Sequence, residues 1–130
     1  MPAFRYIDMN SEQRASTSAQ GIHVVAKPMG PMCNLACEYC FYIEKKALFG
    51  EGENFRMSDE VLSAFVSDYI ASQPTPEVEF VWQGGEPTLM GLDFFKKVVH
   101  EQKPFARKHR LLIIIIAKVG QGNMKITCQL

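Results

Sequence analysis

Glu77-Val78-Glu79-Phe80-Val81-Trp82-Gln83-Gly84-Gly85-Glu86-Pro87 reads as a strand that runs straight into a turn. Val78, Phe80 and Trp82 alternate with Glu77, Glu79 and Val81, the period of a strand with one buried face. Two glycines and a proline then break the run. Downstream, 92–102 puts Phe94, Phe95, Val98 and Val99 on one side of a helix. The charged stretch Arg107-Lys108-His109-Arg110 leads to Leu111-Leu112-Ile113-Ile114-Ile115-Ile116-Ala117. Such an uninterrupted apolar block is expected of a strand buried on both faces, as in a parallel sheet.

Upstream, Ser58 is a good N-cap with Asp59 and Glu60 in the favourable first turn. Val61, Leu62, Phe65, Val66, Tyr69 and Ile70 follow at helical spacing, which predicts an amphipathic helix over 59–72 ended by Pro74 and Pro76. Another helix is expected over 41–49, closed by Gly50 and Gly52. Ile22-His23-Val24-Val25-Ala26 is a β-branched run stopped by Pro28, Gly30 and Pro31, so a strand entering a loop. The order is strand, helix, helix, strand, helix, strand. Alternation of this kind implies an α/β fold with parallel strands and right-handed crossover helices. Residues 1–20 are polar and aperiodic and read as a flexible tail.

Composition narrows the function classes. At 130 residues the chain is one small domain or a piece of a larger one. With 47% hydrophobic and 22% charged residues, collagen-like, coiled-coil and wholly disordered chains are excluded. Lys+Arg and Asp+Glu both number 14, so no net field draws in nucleic acid or an anionic membrane. The N-terminus lacks a signal peptide's basic start and apolar core. The apolar run 111–117 falls far short of the about 20 residues of a spanning helix. A cytoplasmic protein with neither nucleic-acid nor membrane partners is expected.

The chemistry concentrates in Cys33-Asn34-Leu35-Ala36-Cys37-Glu38-Tyr39-Cys40, a C-x3-C-x2-C arrangement in the loop after the first strand. Three sulfurs so close cannot all pair with one another, and a reducing compartment favours metal ligation over bridging. On a loop entering a helix these spacings let three thiolates converge, leaving one iron of a cubane cluster open to a small ligand. Two bland readings stand beside this one. A structural zinc site wants four ligands, and His23, His100, His109 and Cys128 are the spare candidates, none at a familiar spacing. Alternatively the cysteines pack as small hydrophobes. The second signal is Gly84-Gly85-Glu86, where backbone can approach a ligand closely and Glu86 offers a carboxylate to an ammonium group. A diglycine after a strand is often only a turn. In a parallel sheet, however, the C-terminal strand ends share one face, which should set this turn beside the cysteine loop.

The Cys33/Cys37/Cys40 triad with Tyr39 before its last member, together with Gly84-Gly85-Glu86-Pro87, resembles the radical S-adenosylmethionine (SAM) enzymes. More narrowly, Ala26-Lys27-Pro28, Cys40-Phe41-Tyr42 and Trp82-Gln83-Gly84-Gly85-Glu86-Pro87-Thr88-Leu89 are similar to anaerobic sulfatase-maturating enzymes over about residues 21–107. The fold implied is the N-terminal portion of a partial (β/α) TIM-like barrel. The resemblance implies a [4Fe-4S] cluster on Cys33, Cys37 and Cys40, with SAM chelating the open iron. It sets Gly84, Gly85 and Glu86 at the methionine amino group, Tyr39 near the adenine and Gln83 towards the substrate. An electron from the reduced cluster would release a 5′-deoxyadenosyl radical, and a sulfatase Cys or Ser would be oxidised to formylglycine. A sulfatase polypeptide and an electron donor such as flavodoxin or ferredoxin are the implied partners.

The chain also departs from that pattern. A full (β/α)8 barrel takes around 250 residues. The family's Gln-Thr-Asn-Gly stretch ending the third strand is not found, although Lys125-Ile126-Thr127 echoes that strand's start. Residues 21–110 are therefore read as the radical SAM part and 111–130 as a divergent segment, with a truncated or frameshifted end expected. The cysteine-rich extension for auxiliary clusters and the later carboxylate base are missing, so formylglycine formation by this chain alone is not expected. The rival reading is a non-catalytic zinc-binding or remnant protein. An unpaired Ile113-Ile114-Ile115-Ile116 edge is expected to drive self-association. His23, Trp82 and Phe80 are read as packed, Met29, Met32, Met57 and Met90 as gap-fillers, Glu38 as solvent-facing, and 107–110 as a solvated connection.

Overall fold

In a computed structural model the chain is described at residues 21–40, 42–50, 52–119 and 122–130. The expected tail over 1–20 lies outside them. Strand β1 (Val25–Ala26) leads through the cysteine loop to a one-turn helix α1 (Tyr42–Lys45) and a 3-10 turn (Lys46–Leu48). Helix α2 (Asp59–Ala71), strand β2 (Glu77–Trp82) and a second 3-10 turn (Pro87–Met90) come next. Helix α3 (Leu92–Gln102), a third 3-10 turn (Lys103–Phe105) and strands β3 (Arg110–Val119) and β4 (Gly122–Gln129) complete the order.

The sheet order is β1-β2-β3-β4. β1, β2 and β3 are parallel, with Ala26 opposite Trp82 and Phe80 opposite Ile113. Val78, Phe80 and Trp82 of β2 are buried together with Leu111 and Ile113 of β3 in one cluster. Leu62, Val66, Tyr69 and Ile70 of α2 and Phe94 and Val98 of α3 cover that side. Burying each such side chain contributes roughly 1.5–3 kcal/mol. Trp82 and Phe80 are wholly inaccessible, and aromatic rings pack edge-on around Trp82 from Phe65, Phe94 and Phe95.

Helix α2 begins as its caps dictate. The Ser58 hydroxyl accepts from the Val61 N–H at 3.3 Å. Glu60, in the first turn, has its carboxyl held below the usual value by its own backbone N–H and by Ser58. Away from the C-terminal strand ends, Tyr69 ties α2 to β2 and to the segment before β1, its hydroxyl lying 2.9 Å from the Ile22 carbonyl oxygen and 3.1 Å from that of Glu79. The Ile22 N–H donates to Gln73 Oε1 at 2.9 Å.

Several expectations are corrected. β1 is only two residues long, and His23 is exposed, with Nδ1 3.9 Å from Glu79 Oε2. Met32 is exposed as well, unlike the buried Met90. Arg110 is no loose connector: it opens β3 and pairs with Glu77 Oε2 at 3.1 Å. The sheet is not purely parallel. β3 ends at Val119 and β4 starts at Gly122, too short a connection for a parallel crossover, which takes a dozen or more residues. β4 therefore returns antiparallel, with Ile115 opposite Ile126 and Ile113 opposite Cys128. The isoleucine block is interior to the sheet, and the outer strand is β4, where Met124 and Ile126 stay exposed. No helix among the described residues is long and apolar enough to cross a membrane.

Candidate functional site

Parallel pairing of β1 with β2 brings the segments beyond both strands to the same end of the sheet. The ladder continues one residue further, as the Gln83 N–H donates to the Ala26 carbonyl at 2.9 Å. Beyond that point the backbone separates into the cysteine loop and the diglycine turn, which stay in contact.

That contact is made by backbone. Gly84 and Gly85 have φ of +88° and +53°, a region where a Cβ is strained. A Cβ on Gly85 would lie 2.0 Å from the Met32 carbonyl oxygen, and one on Gly84 2.5 Å from Lys27 Cγ. With no side chain in the way, the Glu86 N–H donates to the Met32 carbonyl at 2.9 Å. Met32 immediately precedes Cys33.

The cysteine loop is a succession of tight turns. Gly30 N–H donates to the Lys27 carbonyl at 3.0 Å, Met32 N–H to that of Met29 at 3.1 Å, and Cys40 N–H to that of Cys37 at 2.9 Å. Cys33, Cys37 and Cys40 are half-buried free thiols. Lys27 Nζ sits 4.6 Å from the centre of the Tyr42 ring, joining the loop's entrance to the helix at its exit. The three sulfurs share one loop, and among the described residues no three His, Cys, Asp or Glu side chains are already gathered as a metal-holding group. Cys33 Sγ instead accepts from the Leu35 N–H at 3.4 Å.

Glu86 is only 4% exposed. Its Oε1 accepts from the Thr88 N–H at 3.1 Å and the Thr88 hydroxyl at 2.7 Å, capping the 3-10 turn that it precedes. Gln83 is exposed at the mouth of the turn, and Tyr39 is 66% exposed on the cysteine loop beside the exposed Glu38. As a donor set, three free thiols beside a backbone cradle and a buried carboxylate fit a thiolate-held cluster with an amino-acid-bearing ligand.

Two residues escaped the sequence reading. Thr88 holds the Glu86 carboxylate, and its position two residues on, across a proline, is a capping signal. Arg56, just before α2, donates from Nη1 to the Leu89 carbonyl at 3.2 Å and from Nη2 to that of Met90 at 2.5 Å. Nothing in the local sequence marks it.

Over 89 residues, 68% of this chain, the sequence is 48% identical to a serine-type anaerobic sulfatase-maturating enzyme of Bacteroides thetaiotaomicron. The chain is a homologue of the anaerobic sulfatase-maturating enzymes. Identity is 45% over 86 residues to the serine-type enzyme of Klebsiella pneumoniae, and 37% over 106 residues to a cysteine-type enzyme of Clostridium perfringens. A solved structure described as native anSMEcpe with bound AdoMet and Cp18Cys peptide superposes with a TM-score of 0.56 at 34% identity. It covers 68% of this chain and 22% of that one. A second, described as native anSMEcpe with bound AdoMet, gives 0.52 at 31% identity, with 68% and 24% covered. No family model matches the chain. This homologue spans 22%, 20% and 26% of the three enzymes' lengths.

Proposed function

We propose that this chain carries the cofactor end of a radical SAM site, with Cys33, Cys37 and Cys40 as ligands to a [4Fe-4S] cluster. Gly84, Gly85 and Glu86 hold the amino group of SAM, and Tyr39 lies towards its adenine. Gln83, exposed at the turn, faces the peptide substrate. The observation that carries the reading is the Glu86 to Met32 hydrogen bond, which fixes the carboxylate-bearing turn one residue from the first cysteine.

A cluster held by Cys33, Cys37 and Cys40 would supply one-electron reduction to a sulfonium ligand beside it. The chain's own part is to bind and orient. The diglycine backbone leaves room for a ligand against the loop, and the buried Glu86 carboxylate is held ready to accept from an ammonium group. Its low solvent exposure strengthens that charge-assisted contact. Residues 21–110 form this radical SAM part, and 111–130 form the divergent end. Oxidation of a sulfatase Cys or Ser to formylglycine is assigned to the complete enzyme, with a sulfatase polypeptide and a flavodoxin or ferredoxin as its partners, in the cytoplasm and without nucleic acid or membrane.

A non-catalytic zinc-binding or remnant protein is the second reading, favoured by the free thiols of the loop, which ligate zinc as well as iron. Anaerobic reconstitution with iron and sulfide separates the two. The first reading expects about four irons and four sulfides per chain, lost in Cys37→Ala. Stoichiometric zinc, or a brown chromophore indifferent to Cys37→Ala, would overturn it.

A further inference from the structure

We propose that Arg56 is a positioning residue that sets the distance between the cysteine loop and the Glu86 turn. The inference rests on the functional reading above and deepens it.

Three consecutive residues, 55–57, touch both halves of the site. On the cysteine side the Met57 N–H donates to the Pro28 carbonyl at 2.8 Å. The Phe55 side chain packs so closely on Gly30 that a Cβ there would lie 3.1 Å from it. Arg56 Nη1 also reaches Met29 Sδ at 3.8 Å. On the other side the same guanidinium donates to the carbonyls of Leu89 and Met90. These carbonyls end the 3-10 turn that Glu86 begins, where the last acceptors of a helical segment lack internal donors.

The turn is thus held at both ends. Thr88 fixes the Glu86 carboxylate at its start, and Arg56 fixes its last two carbonyls. A planar fork can serve two adjacent carbonyls at once, whereas an ammonium acts as a single point charge. The strap sits between the elements that would carry the cluster and the carboxylate. Its loss should therefore change how well both engage one ligand, rather than whether the chain folds.

The test compares Arg56→Gln, Arg56→Lys and a control, Tyr69→Phe, which removes a tie at the opposite end of the sheet. In the ligand-free chain, amide exchange over 27–33 and 83–91 should quicken about tenfold in Arg56→Gln, with β2 and β3 unchanged. After reconstitution Arg56→Gln should load iron as wild type does, yet bind SAM about tenfold more weakly, near 1.4 kcal/mol. The readout is the SAM-induced change in the reduced cluster's paramagnetic resonance. Arg56→Lys should fall between. Unchanged exchange or unchanged SAM affinity in Arg56→Gln overturns the proposal. So does an equal loss of affinity in Tyr69→Phe at matched thermal stability. If wild type itself shows no response to SAM, the functional reading fails and takes this role for Arg56 with it.

Discussion

The Glu86 amide donates to the carbonyl of Met32 at 2.9 Å, so one hydrogen bond joins the diglycine turn to the residue preceding Cys33. This bond exists because Gly85 presents only a hydrogen towards Met32. Gly85→Ala would add a Cβ 2.0 Å from that carbonyl oxygen at a φ of +53°. Gly52, at φ +84°, has nothing within 4 Å of such an atom. Gly52→Ala should cost about 1 kcal/mol from backbone strain alone. Gly85→Ala should cost more, because loop and turn must part. Thermal unfolding of the two variants side by side checks the difference.

The core prediction is larger. Trp82 is wholly buried and ringed by Phe65, Phe94 and Phe95. Trp82→Ala should destabilise by about 3–5 kcal/mol through lost burial and the cavity left behind. Chemical denaturation should show that loss, against about 1 kcal/mol for Ser58→Ala at the α2 cap.

Alkaline pH should act through Tyr69. Burial raises its hydroxyl above the ordinary 10.0, and the nearby Glu79 charge adds to the shift. The unfolded chain therefore releases this proton first. Stability from Tyr69 is complete below about pH 10 and declines as pH climbs through the higher folded value. Tyr69→Phe should be less stable near neutrality and show a shallower alkaline decline in urea midpoints.

β4 protects the isoleucine block. A chain ending at residue 121 would expose the β3 edge along Ile113-Ile114-Ile115-Ile116, the long apolar edge on which strands of other molecules add. Light scattering should report large aggregates for that variant at concentrations where the full chain scatters weakly. Equal scattering from both would show that β4 does not perform this protective role.

The parallel core was legible because its signals are periodic and unambiguous. The alternation in Glu77–Trp82 and the helical spacing in Asp59–Ala71 correspond to the elements formed. β4 was harder to see. Met124, Ile126 and Cys128 alternate with Lys125, Thr127 and Gln129, but a short alternating run after a longer apolar block invites reading as a tail. The candidate site residues Cys33, Cys37, Cys40, Gly84, Gly85 and Glu86 stand out by type and spacing. Arg56 and the Met32 carbonyl do not: one acts through a distant pair of carbonyls, and the other is backbone, which no residue type reveals.

The most direct measurement is the paramagnetic resonance spectrum of the anaerobically reconstituted, reduced chain, recorded with and without SAM. The expected result is a [4Fe-4S] signal whose shape changes on adding SAM in wild type and stays unchanged in Gly85→Ala. A cluster signal indifferent to SAM in wild type, or no cluster at all, would contradict it.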